Sequence, residues 1–468
     1  MQQHLIITGI LSLLSVLSIE AQTTWTMQRC MQYAVAHNHE VRKSELELDS
    51  YQASKTGAIG RFLPAVDAGI GVQYNFGRAI DPETNTYTDV STFYNGYSLQ
   101  TTLPLFDGFS RLHALKAAKA SVLMGRHALR NQQDEVALRV LQAYTNAVYY
   151  KGMIRMAEEK QREAELLLRQ TRVLEEVGRK SAADVALVES QQAEAIYELT
   201  RQQNLLTSAL LELKKEMAFP LSEELSVKSE EFHDRQAAGE TLFPTADSQS
   251  YDSSLSTLHS SLFTLHSSLN PLHSSLSTLH SSLETARYKV LSAKHEWHQA
   301  RSNLFPTLSL SAGLNTTYYH TLHTSSASGF GQQLKNNMGE YVGISLSIPI
   351  FNRLQTVTSI RRAKNNYLMA RESFEEKRQE LEKNGREAWQ DWQGYLLQIK
   401  QMEKKVEADS IAHQLTRKQY EEGLSTAIDV HTTSAQLLNS KATLLQCRLM
   451  AVVKEYLIRY YHGDTIWQ

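Results

Sequence analysis

The sequence predicts a mainly helical chain with a small transmembrane β part, built as two tandem structural repeats. Each repeat reads as two strands plus long coiled-coil-like helices. Three observations carry that expectation: short motifs that recur at a nearly constant spacing, four segments alternating with period two, and long stretches almost free of helix breakers.

The recurrence is the most specific of the three. Phe62-Leu63-Pro64 returns as Leu304-Phe305-Pro306, Leu103-Pro104-Leu105-Phe106-Asp107 as Ile348-Pro349-Ile350-Phe351-Asn352, and Gly178…Asp184-Val185 as Gly423…Asp429-Val430. The offsets are 242, 245 and 245 residues. The expected division is therefore a signal peptide over 1–21, a first repeat over 22–218, an inter-repeat linker over 219–283 and a second repeat over 284–468. Within the first repeat, strands are expected at about 62–76 and 95–106, and a helical hairpin over 108–217 with its tip near 178–185. In the second they fall at about 304–318 and 340–351, with a hairpin over 353–462 and its tip near 423–430. Helical segments over about 25–60 and 284–303 lead into the strands.

At the N-terminus, Leu5–Leu17 is an apolar run followed by Ser18-Ile19-Glu20-Ala21, with His4 but no Lys or Arg before it. It is shorter than the ~20 residues a spanning helix needs and fits a secretory signal cleaved near Ala21. No longer apolar run follows, so spanning helices are excluded and any membrane part is a β-barrel.

The strands support that. Val66, Ala68, Ile70, Val72, Tyr74 and Phe76 alternate with Asp67, Gly69, Gly71, Gln73 and Asn75, and the other three behave likewise through Leu99, Leu310 and Ile344. Phe62, Phe106, Phe305 and Phe351 mark one end; Tyr74, Phe76, Tyr97, Tyr318, Tyr319 and Tyr341 are assigned to the other. Alternation by itself also suits a soluble antiparallel sheet with one wet face. The aromatic girdles and the export signal select the membrane. Four strands are too few to close a barrel, and an open edge in hydrocarbon leaves unpaired amides costing several kcal/mol each, so the chain is expected to oligomerise.

The helical stretches carry apolar residues at 4-3 spacing, Val136, Val140, Ala143, Ala147, Tyr150 and Ile154 in one and Leu438, Ala442, Leu445, Leu449, Val452 and Tyr456 in another. At the tips, Gly178 and Gly423 suit left-handed helix ends. Ser181…Asp184 and Thr426…Asp429 read as capping boxes that restart the returning helices, with a pore-facing role for Asp429 compatible with its cap.

Composition limits the function classes. With 42% hydrophobic and 21% charged residues and a formal net charge of −2, the chain lacks the basic field of a nucleic-acid binder and the composition of a disordered acidic chain. Cys30 and Cys447 cannot make a disulfide framework or structural zinc site. No P-loop, G-x-S-x-G or H-E-x-x-H is present, so neither enzyme activity nor a cofactor is expected. His37-Asn38-His39 reads as a helix-face coincidence. Residues 256–283 form four STLHSSL-like heptads, expected as a peripheral insertion. Their histidines, ~10 Å apart along a helix, do not suit a metal site.

Taken in order, WTMQRCMQYAVAHNHEV, FLP and FP before strands, LPLFDG and IPIF after them, and Gly-x5-Asp-Val at both tips, these features resemble the TolC family of outer-membrane efflux proteins. The resemblance implies a homotrimer in outer-membrane lipid, with a 12-stranded β-barrel continued by a 12-helix α-barrel across the periplasm. It implies a passive duct served by a periplasmic adaptor protein and an inner-membrane transporter. It puts the family's aperture aspartate on Asp429, its tip tyrosine on Tyr420, its latch arginine on Ser425 and its second aspartate on Thr432, so two of the four positions depart. Alternatives are the duct of a type I protein secretion system and, from a different class, a periplasmic coiled-coil scaffold.

Overall fold

A computed structural model describes residues 25–80, 86–89, 91–228, 280–321 and 329–468. The signal-peptide reading of 1–21, most of the heptad segment and the middles of the two polar loops lie outside the described residues. In chain order the elements are α1 (Met27–His37), α2 (His39–Gly60), β1 (Ala65–Asn75), β2 (Arg78–Ile80), β3 (Tyr87–Asp89), β4 (Thr92–Phe106), α3 (Ser110–Glu176), α4 (Ala182–Met217), α5 (Ser281–Ser302), β5 (Thr307–Thr321), α6 (Phe330–Asn336), β6 (Gly339–Ser347), α7 (Gln355–Glu421) and α8 (Ala427–His462). Helices α3 and α7 are both 67 residues long and α4 and α8 both 36, and all four recur at an offset of 245. The described residues form two compact units, each drawn from both halves of the chain.

The first unit takes in 25–45, 128–228, 280–283 and 378–468 of the described residues. Its core joins α1 residues Cys30 and Met31 to Val136, Val140, Leu141 and Tyr144 of α3, Leu213 and Met217 of α4, and Leu449, Val453 and Tyr456 of α8. The 4-3 stripe of α3 is thus its buried seam, and the helices come close at Gly152, where an added Cβ would run into Leu445 Cδ2. Two expectations are corrected here. The first helical segment breaks at Asn38, whose backbone is extended. Its amide donates to Glu216 O at 2.8 Å and its carbonyl oxygen accepts from Glu40 N–H at 2.7 Å, so Asn38 caps α2. The heptad segment is not peripheral throughout: His280, Ser281 and Leu283 are buried, and the His280 ring stands edge-on to Tyr460 at 4.6 Å. Deleting 256–279 is expected to leave the melting temperature in detergent unchanged, whereas deleting 256–283 removes this anchor and lowers it.

Tyr144 closes the unit's N-terminal seam. Trp25 and Val227 form an isolated parallel bridge, and the fully buried Tyr144 hydroxyl lies 2.7 Å from Lys228 O and 3.1 Å from Trp25 O. Tyr144→Phe takes this donor from Lys228 O and is expected to cost about 1 kcal/mol, seen as faster hydrogen exchange at Trp25 N–H.

The second unit holds 46–80, 86–89, 91–127, 284–321 and 329–377 of the described residues. Its sheet runs β1-β4-β5-β6, antiparallel throughout. The register sets Ala68 opposite Leu99, Leu99 opposite Leu314, Leu310 opposite Leu103 and Ile344, and Ala312 opposite Val342. Opposed residues share a face, so one face is a continuous apolar surface and the other carries Asp67, Gln100, Ser98, Ser311 and Asn315. Among the described residues most of the apolar face lies uncovered in a single chain, with Ile70 75% and Val342 78% exposed.

The aromatic pattern needs correcting. Tyr318 and Tyr319 are adjacent and point to opposite faces, and Tyr341 is out of phase with Val342. Tyr319 and Tyr341 therefore lie on the polar face, where the Tyr341 ring covers Gly313. Tyr97, opposite Ile70, is mid-strand. The last strand ends at Ser347, short of the expected 351, because Pro349 has no N–H to offer a ladder. The polar loops hold the β2–β3 hairpin and α6, neither of which was expected from sequence. Among the described residues no helix is long and apolar enough to cross a membrane.

Candidate functional site: the hairpin tips

Both hairpins turn in the same way. Gly178 and Gly423 have φ of +74° and +79°, and the amides after them, Arg179 and Leu424, donate to Leu174 O and Gln419 O at 2.8 Å. These are the left-handed helix ends the two glycines suggested. The returning helices then begin with complete capping boxes. Ser181 Oγ accepts from Asp184 N–H at 3.2 Å while Asp184 Oδ2 accepts from Ser181 N–H at 3.0 Å. At the second tip, Asp429 Oδ2 accepts from Thr426 N–H at 3.0 Å, Thr426 Oγ at 2.6 Å and Ser425 Oγ at 3.1 Å.

These donors stabilise the ionised form. The Thr426 hydroxyl, then its amide, then Ser425 hold the exposed Asp429 carboxyl below the usual carboxylate range, and the Ser181 amide and hydroxyl do the same for Asp184. Asp429 is therefore a fixed negative charge at the tip. Thr432, one turn along, is exposed and donates to Ile428 O at 2.8 Å. Ser425, at the position the resemblance gives to a latch arginine, spends its hydroxyl on Asp429.

Tyr420 turns inward. It is 1% exposed, packed among Leu167, Leu168, Val188, Ala427 and Val430. Its hydroxyl meets Thr171 Oγ at 2.8 Å. Thr171 directs its own proton to Leu167 O, so Tyr420 is the donor in that bond. Lys180 Nζ lies 4.3 Å from the centre of the tyrosine ring. Burial pushes the Tyr420 hydroxyl pKa up.

Further polar links tie the hairpins together. Glu163 lies 2.6 Å from His413 Nε2 and accepts from Ser434 Oγ at 3.2 Å, while His413 Nδ1 meets Thr433 Oγ at 3.2 Å. Burial opposes ionisation of Glu163, yet His413, Ser434 and the Arg417 charge together outweigh it and its pKa is lowered. Lys441 donates to Glu159 at 3.3 Å. Sequence reasoning missed Thr171, Lys180, Glu163 and His413, since an isolated polar residue on a charged helix carries no signal of its partner on another helix. The arrangement can hold two hairpins together and present charge. It offers no nucleophile paired with a base, and among the described residues no group of His, Cys, Asp or Glu could hold a metal ion.

The duplicated hairpin has close counterparts. The family model described as outer membrane efflux protein matches residues 30–217 and again 272–455. The chain belongs to that family. The outer membrane protein TolC of Salmonella enteritidis is 22% identical over 444 residues, covering 93% of this chain and 82% of TolC. The alkaline protease secretion protein AprF of Pseudomonas aeruginosa is 23% identical over 404 residues, covering 83% and 75%. Among solved structures, the outer membrane protein VceC of Vibrio cholerae superposes with a TM-score of 0.74 at 14% identity, covering 94% of this chain and 96% of VceC. As a member of the outer membrane efflux family, this chain is an outer-membrane channel component of an export system, with a periplasmic extension. The family is one of channels rather than enzymes.

Proposed function

We propose that three copies of the chain pair their sheets into a 12-stranded barrel and their helices into a 12-helix tunnel. The assembly is a passive duct from a periplasmic adaptor and an inner-membrane pump to the cell exterior. The observation that carries this reading is the open four-stranded sheet with one continuous, uncovered apolar face. In hydrocarbon its two edges need strand partners, and other copies supply them. Extraction from outer membranes should require detergent, and the particle should have three times the chain mass plus the micelle. A monomer that stays in aqueous buffer without detergent overturns the reading.

At the periplasmic end, three Asp429 carboxylates form a single ring of charge, Asp184 caps the neighbouring hairpin, and the Tyr420–Thr171 bond joins the two hairpins that part on opening. Thr432→Asp places a second ring one turn away. It is expected to strengthen block by multivalent cations in planar-bilayer recordings, and unchanged block removes the aperture role of this turn. The likeness to AprF favours a second cargo class, secreted protein, through the same duct. Comparing the secreted proteins and the drug sensitivity of a deletion strain separates the two.

A further inference from the structure

The sheet has a ragged upper corner. β5 has 15 residues and β6 only nine, so among the described residues β5 beyond the Asn315–Gly339 pair has no strand on that side. Helix α6 and the residue after it fill the gap with side chains. Asn337 Nδ2 donates to Thr317 O at 2.8 Å, Gln333 Oε1 accepts from Tyr319 N–H at 3.1 Å, and Thr316 Oγ donates to Leu334 O at 2.6 Å. The Phe330 ring packs edge-on against Tyr318 at 5.0 Å. Thr317 and Tyr319 extend the row of odd-numbered β5 residues, so two side-chain amides continue the edge that β6 leaves unfinished.

This bears on how copies join. The pattern of β1 and β6 fixes which faces match, but a slip of two residues keeps every apolar side chain on the apolar face. Hydrophobicity alone therefore leaves several registers open between β6 of one copy and β1 of the next. A strand on β6 would run ~4.8 Å away, whereas a helix is ~10 Å across, so α6 bars a neighbouring strand from rising past Gly339.

Resting on the assembly proposed above, we infer that α6 is the stop that sets this seam. A second copy's β1 seats with Asn75 opposite Gly339 and Asp67 opposite Ser347. This is the highest face-matched register α6 allows, and it uses all nine residues of β6. It opposes Ala68 to Leu346, Ile70 to Ile344 and Val72 to Val342. It also sets Tyr74 opposite Glu340, the one carboxylate on the apolar face of β6, giving that carboxylate a hydroxyl donor.

Cysteine pairs read the register directly, because opposed Cβ atoms lie ~5 Å apart and diagonal ones ~7 Å or more. Both native cysteines are buried. In outer membranes, Val72→Cys with Val342→Cys should cross-link between copies under mild oxidation, and Ile70→Cys with Val342→Cys should not. Adding Gln333→Ala and Asn337→Ala should let the second pair cross-link as well. Phe330→Ala, milder for folding, should do so in part. Preferential cross-linking of 70 with 342 in the otherwise unaltered chain, or a pattern indifferent to all α6 substitutions, overturns the stop. Absence of every inter-copy cross-link together with a monomeric mass in detergent instead overturns the assembly on which it rests.

Discussion

Gly108→Ala should cost the second unit about 2–5 kcal/mol, combining left-handed backbone strain with overpacking. Gly108 has φ of +64°, and a Cβ there would lie 2.6 Å from Ser302 O and 2.8 Å from Phe305 Cβ. The obstacle is main chain: Ser302 O accepts from Phe305 N–H at 3.0 Å in the turn that delivers α5 into β5. It cannot rotate aside as a side chain could. Low outer-membrane yield and a lowered melting temperature in detergent are the expected readings. The equivalent position 245 residues later is Arg353, with φ of +56°, followed by Leu354 at +63°. A branched-chain or long residue in that region carries about 1 kcal/mol of strain, so Arg353→Gly should raise the melting temperature modestly. Opposite signs at two equivalent positions separate backbone strain from any general sensitivity of the turn.

The same pair shows what the sequence could reveal. Asp107-Gly108 announces a turn, and Gly178 and Gly423 announced the tips, because each uses a residue whose backbone freedom the turn requires. Asn352-Arg353-Leu354 adopts the same left-handed pair with residues that carry no such mark, and only the repeat offset pointed there. The strands were legible because one face is apolar and the period is two, and the long helices because Pro is absent. Phase along a strand decided more than position did: Tyr319 and Tyr341 were assigned to a girdle by nearness to strand ends, while the pleat puts them on the polar face. At the tips, Ser181, Asp184, Thr426 and Asp429 interact across three residues, so spacing revealed them. Tyr420 with Thr171 and His413 with Glu163 are separated by about 250 residues. A pairing that depends on two hairpins docking leaves no periodic trace. His280 was hidden differently, since its heptad looks like its neighbours while its ring is set in the core.

Acid should act on the two units in opposite directions. In the first, Asp134 is 4% exposed and accepts from Trp467 Nε1 at 3.1 Å, in a strap that Arg130 ties down through Gly463 O and Thr465 Oγ. Burial raises its pKa to about 6, against the pull of Arg130 and Trp467. An unfolded carboxyl protonates near ~3.9, so between the two values the folded chain binds the proton more tightly and this unit gains stability as pH falls. At neutral pH the ionised group is a standing cost of about 1–3 kcal/mol. Asp134→Asn keeps an oxygen for Trp467 and removes the charge, so it should raise stability at pH 7.5 and make no difference near pH 4.

In the second unit His113 stacks with His298 at 5.2 Å and with His295 at 5.9 Å. Lys116, Lys294 and Arg301 are the cations around them, and the nearby Glu296 accepts from Ser292. Burial first, then repulsion between the imidazoles for His113 and His295 and from these cations for all three, lowers the imidazole pKa values. Here the unfolded chain takes protons first, from ~6.5 downward, so stability is complete above that pH and is lost below it. His113→Phe preserves a stacked ring without a titrating group and should flatten the loss between about pH 6.5 and 5. Hydrogen exchange resolved by segment is the measurement that checks this, since a single melting curve would average a gain around residue 134 with a loss around residue 113. If both segments weaken together on acidification, the opposed-sign account fails. If only Asp134→Asn changes its own segment, the imidazole stack is too well solvated to matter.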